Sequence, residues 1–343
     1  MKTDILSLFP DELAKFLENE PSYRVKQLFS WLHKGATFDE MTNLPKKMRE
    51  ELTEKAYIAL PEILRKYVSK LDGTVKYLFK LTDGQCIESV VMKYKHGNTI
   101  CISSQAGCKM GCKFCASTQN GWVRNLTPSE MLGQVLVAQN DTGLRISNIV
   151  LMGIGEPLDN YDNVMKFLRL VSLDEGMNIG LRHVSLSTCG VVDKIYCLAE
   201  ENLPVTLSVS LHHSNDEDRS ALMPINKKWN IDSLLDACRV YFEKTGRRIS
   251  FEYAVIGGVN DNKSQADRLA DLLMRKLPKM PFHVNLIPVN TVEGTGFTSE
   301  MKSAQIFQAN LEKRGINATV RRKLGSDINA SCGQLRRTEM EKE

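Results

Sequence analysis

The sequence predicts an α/β fold: a partial, open (βα)6 barrel of TIM-like design that follows a small helical domain and a β-meander. Three observations support this prediction. The first sixty residues carry apolar side chains at helical spacing, the next forty alternate apolar and polar residues, and the rest alternates short β-rich runs with helical patterns. Strands that alternate with helices in this way are typical of a parallel sheet covered by helices. About six strand–helix units can be counted, too few for a closed eight-unit barrel.

Two small parts precede the predicted barrel. Residues 1–60 are expected to form the helical domain, and proline and glycine residues separate its helices. These helices are predicted at residues 11–17, 23–33 and 45–56. Residues 61–100 are expected to form the β-meander, because Asp-Gly and Gly-Asn turns separate its apolar–polar runs. Those runs span residues 77–81, 87–92 and 99–102.

Residues 101–322 are predicted to form the partial barrel, and residues 323–343 a C-terminal tail. The expected strands span residues 148–152, 183–187, 205–211, 249–255, 283–287 and 318–321. The expected helices span residues 128–138, 164–170, 231–242, 264–277 and 303–313. The first of these helices has a complete start signal, with Thr127 as N-cap, Pro128 in the first position and Glu130 placed for a capping box.

The composition favours a cytoplasmic protein that does not interact with a membrane. No apolar run approaches the roughly eighteen residues that a spanning helix needs, and the first residues lack the features of a signal peptide. Nine cysteines, an odd number, fit a reducing compartment and metal or redox chemistry better than a secreted disulfide framework.

The formal net charge of +4 predicts no strong general attraction to nucleic acid. Basic residues are paired at several places, however, and folded together these pairs could form a phosphate-binding rim. They are Lys46-Lys47, Lys227-Lys228, Arg247-Arg248, Arg321-Arg322-Lys323 and Arg336-Arg337.

Three cysteines are clustered in one loop. Cys108, Cys112 and Cys115 have the spacing C-x3-C-x2-C, and Phe114 precedes the last of them. A structural zinc ion normally has four protein ligands, whereas three thiolates on a four-iron cluster leave one iron free to bind a small molecule. The motif therefore indicates an open iron–sulfur cluster. A zinc site completed by a distant Cys or His is the alternative.

Unusual polar residues follow the predicted strands. Parallel α/β barrels bind ligands at the carboxyl ends of their strands. After the cysteine loop these ends carry Gly153-Ile-Gly155-Glu156-Pro157, Ser187-Thr-Cys-Gly190, Ser210-Leu211-His212 and, after the strand at residues 283–287, Asn290. Singly, each has a structural explanation as a tight turn, a helix cap or a buried histidine. Together, beside an open cluster, they favour a site for a small zwitterionic nucleoside.

Cys101 and Cys332 lie outside the cluster spacing. Free cysteine is usually a small buried apolar side chain, which is our interpretation of Cys86, Cys197 and Cys238. Cys332 differs because it lies in a Gly-, Ser- and Asn-rich segment between two basic clusters, where cationic neighbours favour the thiolate. We therefore predict a nucleophile on a tail that returns over the barrel mouth.

Over nearly the whole chain, these motifs resemble the RlmN/Cfr family of radical S-adenosylmethionine (SAM) RNA methyltransferases. The resemblance is carried by residues 101–115, Met152-Gly-Ile-Gly-Glu-Pro-Leu158, Ser187-Thr-Cys-Gly190, Ser210-Leu-His212, Leu222-Met-Pro-Ile-Asn226, Gly257-Gly-Val-Asn-Asp261, Val284-Asn-Leu-Ile-Pro288 and Asp327-Ile-Asn-Ala-Ser-Cys-Gly-Gln-Leu335. It implies a radical SAM barrel in which Cys108, Cys112 and Cys115 hold a 4Fe-4S cluster. It also implies SAM contacts from Gly155, Glu156, Ser187, Ser210, Leu211, His212 and Asn290.

The resemblance also implies a mechanism that uses two SAM molecules per turnover. Cys332 takes a methyl group from the first, and the second is cleaved to a 5′-deoxyadenosyl radical that removes hydrogen from this methyl group. The carbon then adds to C2 of an adenine. Cys101 attacks the methylated sulfur, which releases the product and leaves a disulfide with Cys332. Glu88 matches the base that removes the C2 proton, although alone it would be an ordinary exposed strand carboxylate.

The implied substrates are an adenosine of 23S rRNA at the peptidyl transferase centre and the adenosine adjacent to the anticodon in a subset of tRNAs. We expect a monomer, an electron donor such as flavodoxin or ferredoxin, and RNA binding by the helical domain and the basic pairs through shape and backbone contacts. Two alternatives stay open: Cfr-type methylation of C8 of the same rRNA adenosine, and a zinc-bound RNA-binding module without catalysis. Residues 177–183 and 245–252 are more similar to the RlmN type.

Two positions depart from the family pattern. Cys189 stands where serine is expected, next to the inferred SAM site, and Asn329 stands where aspartate is common. Neither departure removes a predicted catalytic group.

Overall fold

The computed structural model of the protein describes residues 2–18 and 20–335. The predicted basic pair Arg336-Arg337 lies outside these residues. The described strands are β1 (Thr3–Asp4), β2 (Ala56–Tyr57), β3 (Glu62–Val68), β4 (Val75–Lys80), β5 (Cys86–Tyr94), β6 (Gly97–Cys101), β7 (Gln105–Gly107), β8 (Trp122–Asn125), β9 (Ile146–Leu151), β10 (Val184–Thr188), β11 (Thr206–Ser210), β12 (Ile249–Val255), β13 (Phe282–Pro288) and β14 (Ala318–Val320).

Ten α-helices are described within the same ranges. They are α1 (Pro10–Phe16), α2 (Ser22–Leu32), α3 (Lys46–Lys55), α4 (Pro128–Thr142), α5 (Tyr161–Val171), α6 (Val192–Glu201), α7 (Asp216–Leu222), α8 (Ile231–Thr245), α9 (Lys263–Lys276) and α10 (Met301–Lys313). Helix α4 has the predicted capping box, since the side chain of Thr127 accepts from the N–H of Glu130. No helix in the described part of the chain is long and apolar enough to cross a bilayer.

A ten-stranded sheet lies at the centre, in the order β14-β13-β12-β11-β10-β9-β6-β5-β4-β3. Strands from β14 to β6 pair in parallel, and strands from β6 to β3 pair antiparallel. Helices connect successive parallel strands, which gives six strand–helix units and one further strand. The predicted partial barrel is therefore confirmed.

The meander and the barrel share this sheet, because β6 pairs with β5 on one side and with β9 on the other. Cys101 lies opposite Val90, and Glu88 lies opposite Leu78. Since side chains of paired residues point to the same face, Cys101 and Glu88 occupy one face. Diagonal neighbours of this kind are about 7–8 Å apart between Cα atoms.

The N-terminal helices pack onto the barrel. Ile5, Leu28 and Phe29 are buried and belong to the same apolar cluster as the barrel core. An ion pair between Lys166 and Glu12, with Nζ and Oε2 2.8 Å apart, links α5 to α1. The helical domain and the barrel therefore share a continuous core.

Two helices and five strands were not predicted; the strands include the short β1, β2, β7 and β8. Helices α6 and α7 follow strands β10 and β11, and strand β3 precedes the first predicted run of the meander. Most side chains of β3 are exposed, including Lys66 and Tyr67. An edge strand with little burial shows no apolar–polar alternation, so periodicity could not reveal it.

Candidate active site

The cysteine loop follows β6 through a short two-stranded sheet of β7 and β8. The loop is closed at its start, where Cys108 donates its N–H to the carbonyl of Gly121. Gly107 has a φ of +83°, and a Cβ there would lie 1.9 Å from that same carbonyl oxygen. Only glycine permits this close approach, which directs the loop back over the barrel mouth.

One cavity of about 970 Å³ collects most of the predicted residues. We call it the cysteine cavity. Its lining includes Cys108, Cys112, Phe114, Cys115, Gly155, Glu156, Ser187, Cys189, Ser210, His212, Glu252, Arg321 and Cys332. The carboxyl ends of five parallel strands, β9 to β13, and the tail thus open into one space.

The three loop thiols fit an iron–sulfur cluster. Burial raises the pKa of all three thiols, to about 12 for Cys108. Iron binding would lower these pKa values, because the group that binds the metal is the deprotonated thiolate. Among the described residues, no three His, Cys, Asp or Glu side chains converge on a single-ion site. A four-iron cluster needs a different arrangement, since each cysteine binds its own iron. Three thiols along one wall suit a cluster with one open iron better than a structural zinc.

Glu156 and Gly155 form the wall beside the loop. Glu156 is 3 % exposed, and its carboxylate accepts from the N–H groups of Leu158 (3.0 Å) and Cys189 (2.7 Å). Burial raises the pKa of this carboxyl group, although the two hydrogen bonds act in the opposite direction and lower it. Gly155 has a φ of +106°, and a Cβ there would lie 2.6 Å from the side chain of Gln105. This glycine therefore has a structural role as well as a place in the cavity.

His212 is a buried, neutral imidazole in the cavity wall. Its Nδ1 accepts from the N–H of Ala254 at 2.8 Å, which leaves the proton on Nε2. Burial, assisted by the charge of Arg219, lowers its pKa to about 3. Its φ is +56°, and its ring packs edge-on against Phe114 at 4.8 Å. His212 can thus offer one fixed N–H donor at all ordinary pH values.

Arg219 connects the strand ends, a role that the sequence analysis did not predict. Its buried guanidinium donates to the carbonyls of Leu211 (3.0 Å), Cys189 (2.8 Å) and Ser210 (2.9 Å), and to the side chain of Asn226 (2.7 Å). The side chain of Leu211 is fully buried and does not line the cavity, unlike Ser210. Asn226 belongs to the quoted Leu222-to-Asn226 motif and is buried, so its side chain needs a hydrogen-bond partner of this kind.

The tail is bound across the barrel mouth. Asn290 donates from Nδ2 to the carbonyl of Cys332 at 3.0 Å, and Ala116 donates its N–H to the carbonyl of Gly333 at 2.8 Å. Ser117 donates from Oγ to the carbonyl of Leu335 at 2.7 Å. Asn290, predicted as a SAM contact, thus holds the tail here and lines the neighbouring cavities instead of the cysteine cavity.

Cys332 lies at the junction of two cavities. It lines the cysteine cavity and also a second cavity, which we call the tail cavity, whose lining includes Cys101, Met152, Arg321 and Ala330. Neither Cys101 nor Cys332 is in a disulfide. Burial raises the pKa of Cys101 to about 12. The charge of Cys332 raises the pKa of Arg321, so a cation stands beside the predicted nucleophile, as a reactive thiol requires.

Glu88 lies in a third, open cavity of about 1900 Å³, which we call the meander cavity. It lies between β3 to β5 and the tail, and its lining includes Arg65, Tyr67, Lys76, Asn290 and Asn329. Glu88 is 4 % exposed and forms an ion pair with Lys76, with Oε1 and Nζ 2.8 Å apart. It is therefore not the exposed strand carboxylate that its position alone suggested.

Comparisons with known proteins agree with this geometry. Residues 102–270 match the model of the radical SAM superfamily, and residues 3–58 match the model of the ribosomal RNA large subunit methyltransferase N-terminal domain. The crystal structure of a radical SAM methyltransferase from Sphaerobacter thermophilus is similar with a TM-score of 0.92 and 42 % identity, over 97 % of this chain and 99 % of that chain. The fold and the three-cysteine cavity define a radical SAM enzyme, a class that uses a 4Fe-4S cluster and SAM.

Two relatives of known family show which radical SAM family the chain belongs to. The probable dual-specificity RNA methyltransferase RlmN of Clostridium novyi (strain NT) is 52 % identical over 97 % of this chain and 98 % of its own length. The protein of the same name from Alkaliphilus oremlandii (strain OhILAs) is 54 % identical over 99 % of both chains. The chain belongs to the RlmN family. The alternative of a zinc-bound module without catalysis is therefore wrong.

Proposed function

We propose that this protein methylates C2 of adenosine in 23S rRNA, at the peptidyl transferase centre, and in tRNA, at the adenosine adjacent to the anticodon, through a methylcysteine on Cys332. The position of Cys332 carries the proposal, because this residue lines both the cysteine cavity and the tail cavity that contains Cys101. The names of the relatives support RNA as the substrate.

Cys108, Cys112 and Cys115 would hold the cluster. Gly155, Glu156, Ser187, Ser210 and His212, which line the same cavity, would surround SAM. The SAM contacts of Leu211 and Asn290 stay predictions, because neither residue lines this cavity. When bound, the cluster would supply one electron to SAM, whose cleavage would give methionine and a 5′-deoxyadenosyl radical. Around it, the chain excludes water, since Phe114 and the buried His212 close the wall behind the loop. The fixed Nε2–H of His212 is suited to orient a carboxylate or ribose oxygen of SAM.

Cys332 has the environment that a methyl carrier needs. In the first step its sulfur attacks the methyl group of one SAM molecule, and the S-adenosylhomocysteine part leaves. Arg321 borders both cavities and lies close enough for the charge of Cys332 to raise its pKa. The methylated sulfur then faces the space where the second SAM molecule binds, so that its methyl group can lose hydrogen and bond to C2.

Cys101 and Glu88 complete the reaction from the meander side. Glu88 takes the C2 proton, and the oxidised cluster would accept the unpaired electron of the adduct. The Cys101 sulfur, after loss of its proton, then attacks the sulfur of Cys332. The carbon–sulfur bond breaks with its electron pair on carbon, which takes up a proton to become the methyl group, and a disulfide forms. Burial raises the pKa of Cys101 to about 12, so this thiol must lose its proton as it attacks the adduct.

RNA would enter through the meander cavity. It is open, has a volume of about 1900 Å³ and places Arg65, Tyr67 and Lys76 in front of Glu88. A target base must leave its stack to reach such a depth, and an aromatic ring with basic neighbours can receive it. We further propose that residues 1–60 bind RNA, and that the enzyme is a cytoplasmic monomer that takes electrons from a donor such as flavodoxin or ferredoxin.

The test is anaerobic reconstitution with iron, sulfide and methyl-labelled SAM, followed by incubation with 23S rRNA fragments and tRNA. Nuclease digestion and mass spectrometry of the nucleosides should show labelled 2-methyladenosine from both RNAs. Label on C8 would instead indicate the Cfr-type reaction, and unlabelled RNA would contradict the proposal. The Cys332→Ala variant is the control, because it should still cleave SAM but yield no methylated RNA.

A further inference from the structure

We propose that Lys76 is a positioning residue that couples the docked tail to the placement of Glu88. This inference rests on the proposed function, because it takes Glu88 as the base. Lysine is almost never fully buried unless it is paired, yet Lys76 on β4 is only 7 % exposed. Its burial requires partners, and their identity indicates its role.

The ammonium of Lys76 contacts two different parts of the site. On one side it pairs with the carboxylate of Glu88, with Nζ and Oε1 2.8 Å apart. On the other it donates to the carbonyl of Asn329 at 3.2 Å. The side chains of Lys76 and Glu88 are 9 % and 5 % exposed, so little solvent screens the pair. One cation therefore joins the base to the tail.

The sheet register explains why Lys76 can reach Glu88. Lys76 pairs with Val90 across the β4–β5 ladder, and Leu78 pairs with Glu88. Lys76 and Glu88 are thus diagonal neighbours on one face, within reach of a long side chain. Cys101 pairs with Val90 from the other side. The base, its cation and the second reactive cysteine are consequently neighbours on three adjacent strands.

The tail presents its carbonyl to Lys76 in a defined conformation. Asn329 has a φ of +51°, a left-handed conformation that asparagine tolerates well. Two contacts hold the preceding residues against the β3–β4 turn: Ser69 donates to Asp327 (Oγ to Oδ1, 2.7 Å), and the N–H of Gly325 donates to Asp72 (2.9 Å). Asn329 precedes Cys332 by three residues. The carbonyl is therefore in place only when the carrier cysteine is also docked.

This arrangement has a chemical consequence. A lysine ammonium has three donors, and a docked tail occupies one of them, which orients the others toward Glu88. The carboxylate is then held in one position, and a neighbouring cation favours the charged form of a carboxylate, which is the form that can accept the C2 proton. Without the cation, Glu88 would lose this constraint, while the cluster loop and the SAM residues would be untouched.

The test compares Lys76→Met with Lys76→Arg, and with Lys80→Met as the matched control. Lys80 lies on the same strand, but its ion pair with Glu62 is long (3.8 Å) and solvent-exposed. Four quantities are measured on the reconstituted enzyme: methylcysteine at position 332, 5′-deoxyadenosine, covalent protein–RNA adduct, and methylated RNA. Their ratios separate the base-dependent step from the earlier ones.

For Lys76→Met we expect methylcysteine and 5′-deoxyadenosine within about twofold of wild type, while release of methylated RNA slows by about ten- to a hundredfold and adduct accumulates. The acid limb of its pH–rate profile should move to higher pH, because a carboxylate without a neighbouring cation gains a proton more readily. Lys76→Arg should recover most of the rate, and Lys80→Met should match wild type.

The proposal is overturned if Lys76→Met releases product at the wild-type rate, if all four quantities fall together, or if Lys76→Arg is no better than Lys76→Met. A parallel fall would mean that Lys76 only stabilises the fold. Failure of the proposed function would look different: wild-type enzyme would then form no 2-methyladenosine at all, whatever residue 76 is.

Discussion

Replacement of Arg219 by methionine should destabilise the protein and weaken SAM binding together. Methionine has a similar volume but no donor, so the acceptors on Leu211, Cys189, Ser210 and Asn226 would lose the four hydrogen bonds described above. Three of these acceptors are backbone carbonyls at the ends of β10 and β11, next to the cavity wall. Their loss should therefore affect both folding and the site.

The magnitude can be worked out from these contacts. Hydrogen bonds to a charged group contribute about 1.5–3 kcal/mol each, but removal of the guanidinium also removes its own desolvation cost, so the net loss should be about 3–5 kcal/mol. Unfolding entropy is about 2.1 cal/mol/K per residue, which over 343 residues converts this loss into a fall of roughly 4–7 °C in the unfolding midpoint.

The assay is thermal unfolding followed by circular dichroism, with SAM affinity measured by calorimetry on the reconstituted protein. Arg239→Met is the matched control, because Arg239 and Glu243 form an exposed helical pair with 2.9 Å between Nη1 and Oε1. Such pairs contribute about 0.3–0.5 kcal/mol. An Arg219→Met midpoint within about 2 °C of wild type, with normal SAM affinity, would refute the reasoning.

Three further predictions follow from the site and its support. Cys101→Ala should accumulate a covalent adduct between Cys332 and RNA, visible on denaturing gels, because no thiol remains to break the carbon–sulfur bond; free turnover would contradict the assigned roles. Gly155→Ala should lower the free energy of unfolding by about 1–3 kcal/mol in denaturant titrations, because the φ of Gly155 is +106° and the new Cβ would lie 2.6 Å from the side chain of Gln105. Gly121→Ala is the control: its Cβ would have no heavy atom within 4 Å, so the loss of stability should be smaller. Burial lowers the pKa of His33 to about 4, so as the pH falls the unfolded chain takes up a proton on this side chain before the folded chain does. The free energy of unfolding of the wild-type protein should therefore fall between pH 6.5 and 4 by up to about 3 kcal/mol. An equally steep fall in His33→Leu would exclude this cause.

Much of the barrel could be predicted because its strands are buried on both faces and its helices on one. Runs such as residues 249–255 are apolar enough to show in the sequence, and polar residues such as Ser210 and His212 then fall at strand ends by topology alone. Most of the residues that line the cysteine cavity could therefore be predicted from the sequence alone.

The polar residues that hold the site together could not be predicted in this way. Lys76 and Arg219 look like solvated side chains in a strand and a short helix, since basic residues are usually exposed. Their burial depends on partners such as Asn329, which is 253 residues from Lys76. No periodic pattern records such pairs, because each arises only when distant parts of the chain fold together.

The most direct test of the central claim, that Cys332 carries the methyl group between the two cavities, is mass spectrometry of peptides after incubation with trideuteromethyl-SAM. We predict label on Cys332 before RNA is added, and transfer of that label to C2 of adenosine when unlabelled SAM and RNA follow. Methylated RNA that forms without labelled Cys332, or in a Cys332→Ala variant, would contradict the claim.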